Sequence, residues 1–295
     1  MLLKYHVFCS ARICCIEPLD CSQRRLDTRY APDSCHATTS FRNDDALNMD
    51  SITTQQLTKR YDETLALDSL DLSIPDGSVY GFLGPNGAGK STTMRLLTGL
   101  TLPTSGEATV AGVPTTDRAQ LIDHIGLLPE EPPIHDELTA REQLTYAAGL
   151  RELPEPQSRI QHLLERVALA DDADTRIDTY STGMRQKTAF LQAVLHEPDV
   201  LFLDEPTAGL DPRAARTIRE FIDELSEGGT TIFLSTHILP VVDEHADTVG
   251  VLSDGRLVAE GSPTDLKRRV DAEDGDKTLE DVFLDVTETA PDEDL

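Results

Sequence analysis

The run Gly84-Pro85-Asn86-Gly87-Ala88-Gly89-Lys90-Ser91 constrains this chain more than any other stretch, because it fits the spacing GxxxxGK[ST]. It lies between a short apolar run, residues 79–83, and a segment, 91–100, whose Met94, Leu96, Leu97 and Leu100 give it an apolar helical face. Few folds accommodate a buried strand that passes through a glycine-rich loop directly into a helix. The glycines let the backbone turn tightly and aim several N–H groups at one point. The helix start adds the positive end of its dipole. Such a loop is built to hold phosphate. Lys90 can reach the β- and γ-phosphates of a nucleotide, and the Ser91 hydroxyl can ligate Mg²⁺. The residues expected around the phosphates of a nucleotide are therefore Gly84, Pro85, Asn86, Gly87, Ala88, Gly89, Lys90, Ser91 and Thr92.

The surrounding pattern is α/β. Residues 52–57 and 65–74 read as strands around a polar turn, 107–113 as an edge strand and 125–128 as a short strand. Residues 138–150, 157–167, 181–196 and 213–226 read as helices. The runs 200–203 and 230–234 are continuously apolar, as parallel strands buried on both faces are. Residues 249–252 and 256–260 frame a hairpin at Asp254-Gly255. Strands alternating with helices imply a parallel sheet, interrupted here by a helical middle.

Composition narrows the function classes. The 295 residues carry 26 Lys+Arg against 53 Asp+Glu, a formal net charge of −27. So acidic a surface opposes gripping the phosphates of nucleic acid or acting as a polybasic membrane binder. Residues 1–48 hold six basic and six acidic groups, so the whole excess lies beyond them. All five cysteines (Cys9, Cys14, Cys15, Cys21 and Cys35) also fall in that first stretch, leaving no disulfide framework for the remainder. Residues 1–48 read as a poorly ordered N-terminal extension or a start-site artefact, with Met49 as the natural first residue. Residues 286–295 read as an acidic frayed tail. No run approaches the roughly 20 apolar residues of a spanning helix. Only six of the basic residues are lysine, and high acid with low lysine resembles the proteins of halophilic archaea.

A second chemical feature is Asp204-Glu205, two carboxylates ending the apolar run 200–203. Asp204 is placed to hold Mg²⁺, and Glu205 to poise a water against a γ-phosphate. In a chain this acidic, two acids capping a strand is the competing reading.

The neighbouring motifs decide between them. Tyr180-Ser181-Thr182-Gly183-Met184-Arg185-Gln186 resembles the signature LSGGQ, 23 residues before Asp204. Pro206-Thr207-Ala208-Gly209-Leu210-Asp211 resembles a D-loop, and Leu234-Ser235-Thr236-His237 a switch histidine after the next strand. In this order and over residues 50–290, the chain resembles the ATP-binding subunit of an ABC transporter. The segments Leu128-Pro129-Glu130 and Leu279-Glu280-Asp281-Val282-Phe283-Leu284 most resemble its ABC-2 type, drug- or multi-substrate-export branch.

The resemblance implies a P-loop NTPase fold over residues 49–285. It would have a parallel-sheet core, an N-terminal antiparallel β part and an inserted helical subdomain at about 130–185. It implies ATP hydrolysis with Glu205, His237 and Lys90 as catalytic groups, and Mg²⁺ held by Ser91, Asp204 and Glu130. Tyr61 is placed to stack on adenine, although ordinary packing of an aromatic would also explain it. Ser181, Thr182, Gly183 and Met184 would meet the ATP of a second copy, with Ser181 also serving as a helix cap. Asp211 would lie at the same junction. Two departures stand out: Thr182 and Met184 replace Gly and Gln of the signature, and Glu130 replaces the Q-loop glutamine. The implied partners are a second ATPase subunit and a separate integral membrane permease, with no nucleic acid, at the cytoplasmic face of the membrane. The rival is a soluble ABC ATPase acting on ribosomes or DNA. A single cassette with no long coiled-coil insertion disfavours it.

Overall fold

The computed structural model describes residues 50–269 and 278–288. The N-terminal extension with all five cysteines, and residues 289–295 of the acidic tail, lie outside the described residues.

Two sheets organise the chain. In the first, β1 (Asp50–Tyr61), β2 (Thr64–Pro75), β4 (Ser105–Val110) and β5 (Val113–Pro114) pair antiparallel in the order β2-β1-β4-β5. The hairpin between β1 and β2 closes on Tyr61 opposite Thr64, with Asp62 in the left-handed region at φ 49°. The strand expected over 107–113 is therefore two strands. The chain reverses at Ala111-Gly112, both at positive φ, so β4 is internal and the two-residue β5 forms the edge.

The second sheet has the order β10-β9-β3-β8-β7-β6. Its parallel strands are β3 (Val79–Leu83), β6 (Ile125–Leu128), β7 (Val200–Asp204), β8 (Thr231–Ser235) and β9 (Thr248–Ser253). β10 (Arg256–Gly261) pairs antiparallel at one end. Strands β3, β7 and β8 are buried at every residue, because both faces of the sheet are covered. The period of two divides their side chains. Leu201 and Leu203 point into one core, while Val200 and Phe202 enter another with Tyr80, Phe82 and Phe233. Ring centroids in that aromatic group lie 5.1–6.4 Å apart. Each such ring, taken fully from water, stabilises the fold by about 2–3 kcal/mol.

The helical part lies on the first core. α3 (Ala140–Leu150) begins with a capping box, in which Thr139 and Glu142 satisfy each other's backbone N–H groups. α4 (Gln157–Arg166) presents Ile160, Leu163 and Leu164 inward at helical spacing. The acidic connector carries two short 3-10 turns, Ala170–Asp172 and Ile177–Thr179. α5 (Thr182–Val194) then leads back toward β7. α1 (Lys90–Leu97) follows the glycine loop and α6 (Pro212–Glu227) links β7 to β8. Four short helices had no clear sequence signal: α2 (Arg118–His124), α7 (Leu239–His245), α8 (Pro263–Arg269) and α9 (Leu279–Glu288). Each offers at most three turns of periodicity, too few to stand out. Among the described residues, no helix is long and apolar enough to cross a membrane.

Candidate functional site

In a parallel sheet all strands end at the same edge, and the loops leaving that edge meet in space. Here the loops after β3, β6, β7 and β8 all leave it. β8 lies between β3 and β7, with Phe82, Ser235 and Asp204 level across the three strands. The topology thus brings residues from positions 84, 130, 204 and 237 to one place. They line a cleft of about 430 Å³ formed by Gly84, Pro85, Asn86, Lys90, Ser91, Glu130, Asp204, Glu205, Thr236 and His237 on its polar side. Leu83, Ala208, Leu239 and Phe283 supply its apolar rim.

The loop itself is pressed between two strands. A Cβ on Gly89 would lie 2.5 Å from the Ala66 carbonyl oxygen of β2, and φ there is +108°. Glycine is needed on both counts. Gly84 is confined too, since a Cβ would sit 2.4 Å from the Leu252 carbonyl oxygen. Lys90 Nζ donates to the carbonyls of Gly84 at 2.6 Å and Pro85 at 3.1 Å, so the ammonium curls back over its own loop. Burial pulls the Lys90 pKa below the ordinary lysine value, and the charges of Glu205, Asp204 and Glu130 oppose that pull. An anion entering the loop meets a half-buried cation and the open N-terminus of α1.

Across the cleft, Asp204 is buried. Desolvation raises its carboxyl above the usual value, and the nearby charges of Glu130 and Glu205 push the same way. Glu205 leaves the strand direction through a left-handed backbone at φ 49°. A non-glycine residue held there carries about 1–2 kcal/mol of strain. The turn aims the carboxylate at the loop after β8. Thr236 Oγ1 donates to its Oε2 at 2.9 Å, while the His237 backbone N–H donates to Oε1 at 2.9 Å and His237 Nδ1 at 2.7 Å. Glu205 and His237 thus form a bonded dyad facing the phosphate loop. Thr236 was not singled out from the sequence, although it stands beside His237 in the quoted motif.

Other expected residues lie elsewhere. Tyr61 does not line the cleft; it ends β1 with 41% of its surface exposed and Lys59 Nζ 4.8 Å from its ring centre. Gly87, Ala88, Gly89 and Thr92 belong to the loop and α1 and are not among the residues that line the cleft. Ser181 caps α5, its Oγ accepting from the Met184 N–H at 3.3 Å; Ser181 and Thr182 are exposed. Gly183 approaches α6, where an added Cβ would be 3.4 Å from that of Ala214. Asp211 caps α6 by accepting from the N–H groups of Arg213 and Ala214, and those amides hold its carboxyl below the usual range. None of Ser181, Thr182, Gly183, Met184 or Asp211 reaches the cleft of its own chain.

The comparisons agree with this geometry. A family model described as ABC transporter matches residues 67–208. The bacitracin transport ATP-binding protein BcrA of Enterococcus faecalis is 39% identical over 220 residues, covering 74% of this chain and 71% of that protein. The daunorubicin resistance ATP-binding protein DrrA3 of Streptomyces coeruleorubidus is 40% identical over 220 residues, covering 74% and 70%. A solved structure of the ATP-binding subunit of an ABC transporter superposes with a TM-score of 0.74 at 30% identity, covering 80% of this chain and 99% of that one. A dimeric ATP-binding cassette in a post-hydrolysis state, bound to ADP and Pi, gives 0.66 at 25% identity, covering 72% and 98%. The phosphate-loop cleft at the strand ends, its bonded Glu–His pair and these matches together place the chain in the family of ABC transporter ATP-binding subunits, and it is an ATPase of that family.

Proposed function

We propose that this chain hydrolyses ATP as one of two cassettes that close on each other and so drive an ABC-2 type exporter. One observation carries the two-chain reading. The phosphate loop, Asp204, Glu205 and His237 share a cleft, whereas Ser181 and Gly183 stand outside it, exposed or half-buried at the start of α5. A helix N-terminus whose first residues are exposed or half-buried suits the γ-phosphate held by a second copy. ATP bound between two chains collects donors from both, and its hydrolysis releases them.

Within one chain, the loop and Lys90 grip the phosphates. The His237 ring leaves Glu205 Oε1 for the γ-phosphate while its backbone N–H stays bonded, which opens a lone pair on that oxygen to orient and deprotonate the attacking water. Tyr61 is proposed as the adenine platform, reached once nucleotide bridges the loop and β1. The oxygen donors Ser91, Asp204 and Glu130 line the same cleft and suit a hard cation, so they fit Mg²⁺. When bound, that ion neutralises charge on the phosphate oxygens.

Export is read from the relatives named for bacitracin transport and daunorubicin resistance. The proposed location is the cytoplasmic face of the membrane, held there by a separate integral permease. Residues 130–150 form the docking side, where Glu130 links the cleft to α3. The acid excess is read as adaptation to high salt. The test is co-expression with a polytopic membrane protein encoded beside this gene, followed by membrane fractionation and an ATPase assay. The expected result is co-purification, with turnover altered by the partner. A chain that hydrolyses ATP but stays in the soluble fraction with every such partner would overturn the transporter reading.

A further inference from the structure

The nucleotide cleft has one wall that the chemistry above does not use. Phe283, on α9, lines it together with Leu239, the first residue of α7. α9 is remote in sequence from every other part of the cleft, yet it is held there firmly. Its start is closed by a reciprocal cap. The Thr278 N–H donates to Asp281 Oδ2 at 2.9 Å, and the Asp281 N–H to Thr278 Oγ1 at 3.3 Å. Leu279 and Val282 are buried, and Phe283 completes an i, i+3, i+4 face.

That face enters a small apolar core of its own. The core contains Leu83 at the root of the phosphate loop, Val242 of α7, Val251 of β9 and Leu266 of α8, with Leu239 and Phe283 packed against it at the cleft side. α9 also packs on α7, α8 and β10. Lys267 of α8 donates to Asp243 of α7 at 2.8 Å, tying the same group together.

α7 follows directly on the segment that grips the catalytic carboxylate. Thr236 Oγ1 donates to Glu205 Oε2 and accepts from the Ile238 N–H at 3.0 Å. His237 bonds Glu205 through both its backbone and its ring. Ile238 follows as the residue before α7, and Leu239 opens that helix. The backbone from 236 to 239 is thus fixed by Glu205 at one end and by the apolar core shared with α9 at the other.

We propose that Phe283 is a positioning residue of the ATPase. Packed against the same apolar core as Leu239, it sets the backbone of residues 236–239, and so the place from which the His237 ring moves between Glu205 and the γ-phosphate. The C-terminal helix thereby becomes part of the catalytic apparatus. Displacements of about 1 Å in such an arrangement can cost up to a hundredfold in rate. Removing the ring acts on the rate of the chemical step rather than on nucleotide affinity, because Phe283 lies on the rim and the phosphates are held by the loop.

This inference rests on the cleft being the ATP site, and the test separates the two. ATP binding to the full chain is measured by equilibrium dialysis, and hydrolysis by single-turnover kinetics, which report only the folded, loaded fraction. Phe283→Ala is expected to lower the single-turnover rate constant about tenfold with ATP affinity within twofold of wild type, and Phe283→Leu to recover most of it. The chain contains no tryptophan, so Phe283→Trp places a sole indole at the rim. Its emission is expected to change saturably with ATP. Leu284→Trp, at an exposed neighbour on the same helix, is expected to stay constant. If the wild-type chain binds no ATP, the reading of the cleft itself falls. If ATP binds while the Phe283→Ala rate constant stays within twofold of wild type, or while the Phe283→Trp emission is unchanged, the positioning role is overturned.

Discussion

Glu205→Gln separates the structural role of this residue from its chemical one. The carboxylate accepts three hydrogen bonds, from the Thr236 hydroxyl, the His237 backbone N–H and His237 Nδ1. A glutamine has the same shape. Its carbonyl can keep both His237 bonds on the Oε1 side, and its amide can donate to Thr236, whose hydroxyl turns to accept. Each bond falls from one to a charged acceptor to one between neutral groups, a loss of about 1 kcal/mol apiece. Against that stands relief of like charge, since Glu205 and Glu130 both push the buried Asp204 carboxyl upward. The expected net change in stability is therefore small, about 1–2 kcal/mol or less. The chemistry is different in scale. An amide cannot take a proton from water, and losing a general base lowers a rate by about 10²–10⁴, or about 3–5 kcal/mol of transition-state stabilisation. Single-turnover hydrolysis of radiolabelled ATP measures the rate, and size-exclusion chromatography with ATP measures the dimer. Glu205→Gln is expected to bind ATP, to accumulate as a dimer and to turn over at least a hundredfold more slowly. Hydrolysis within threefold of wild type, by a folded variant, would refute the argument that this carboxylate is the base.

Three further outcomes follow from other parts of the fold. His196 donates from Nε2 to the Ile125 carbonyl, and burial, with the charge of Arg151 nearby, lowers its pKa from 6.5 to about 4. The unfolded chain therefore takes up the proton first as pH falls from 6.5 towards 4, and stability declines over that window by on the order of 2 kcal/mol after allowance for partial exposure; urea midpoints against pH should show the decline, and His196→Gln should flatten it, whereas an unchanged slope would contradict it. Mixing Lys90→Ala chains with Ser181→Arg chains, each inactive alone, should restore ATPase activity, because the mixed dimer contains one site with an intact loop and an intact signature; no recovery despite dimer formation would rule out a site shared between chains. Raising KCl from dilute buffer to molar concentration should raise the thermal midpoint by screening repulsion within a chain of net charge −27, and a midpoint that falls instead would contradict the high-salt reading.

The parts of this protein legible in its sequence are those in which local order and chemistry coincide. The loop from Gly84 to Ser91 needs consecutive residues of particular kinds, so its spacing alone announces a phosphate site. The apolar runs before Asp204 and before Thr236 mark strands buried on both faces, and the signature and D-loop are contiguous words. Three features became visible only in three dimensions. The strand order placed β8 between β3 and β7, which brought residues 84, 130, 204 and 237 into one cleft. The left-handed turn at Glu205 aimed its carboxylate at Thr236 and His237. α9 delivered Phe283 to the rim. The physical reason is the same in each case. A motif constrains neighbours along the chain, whereas strand pairing and core packing couple residues far apart in it, and a single sequence carries no local mark of which distant partner a side chain will meet.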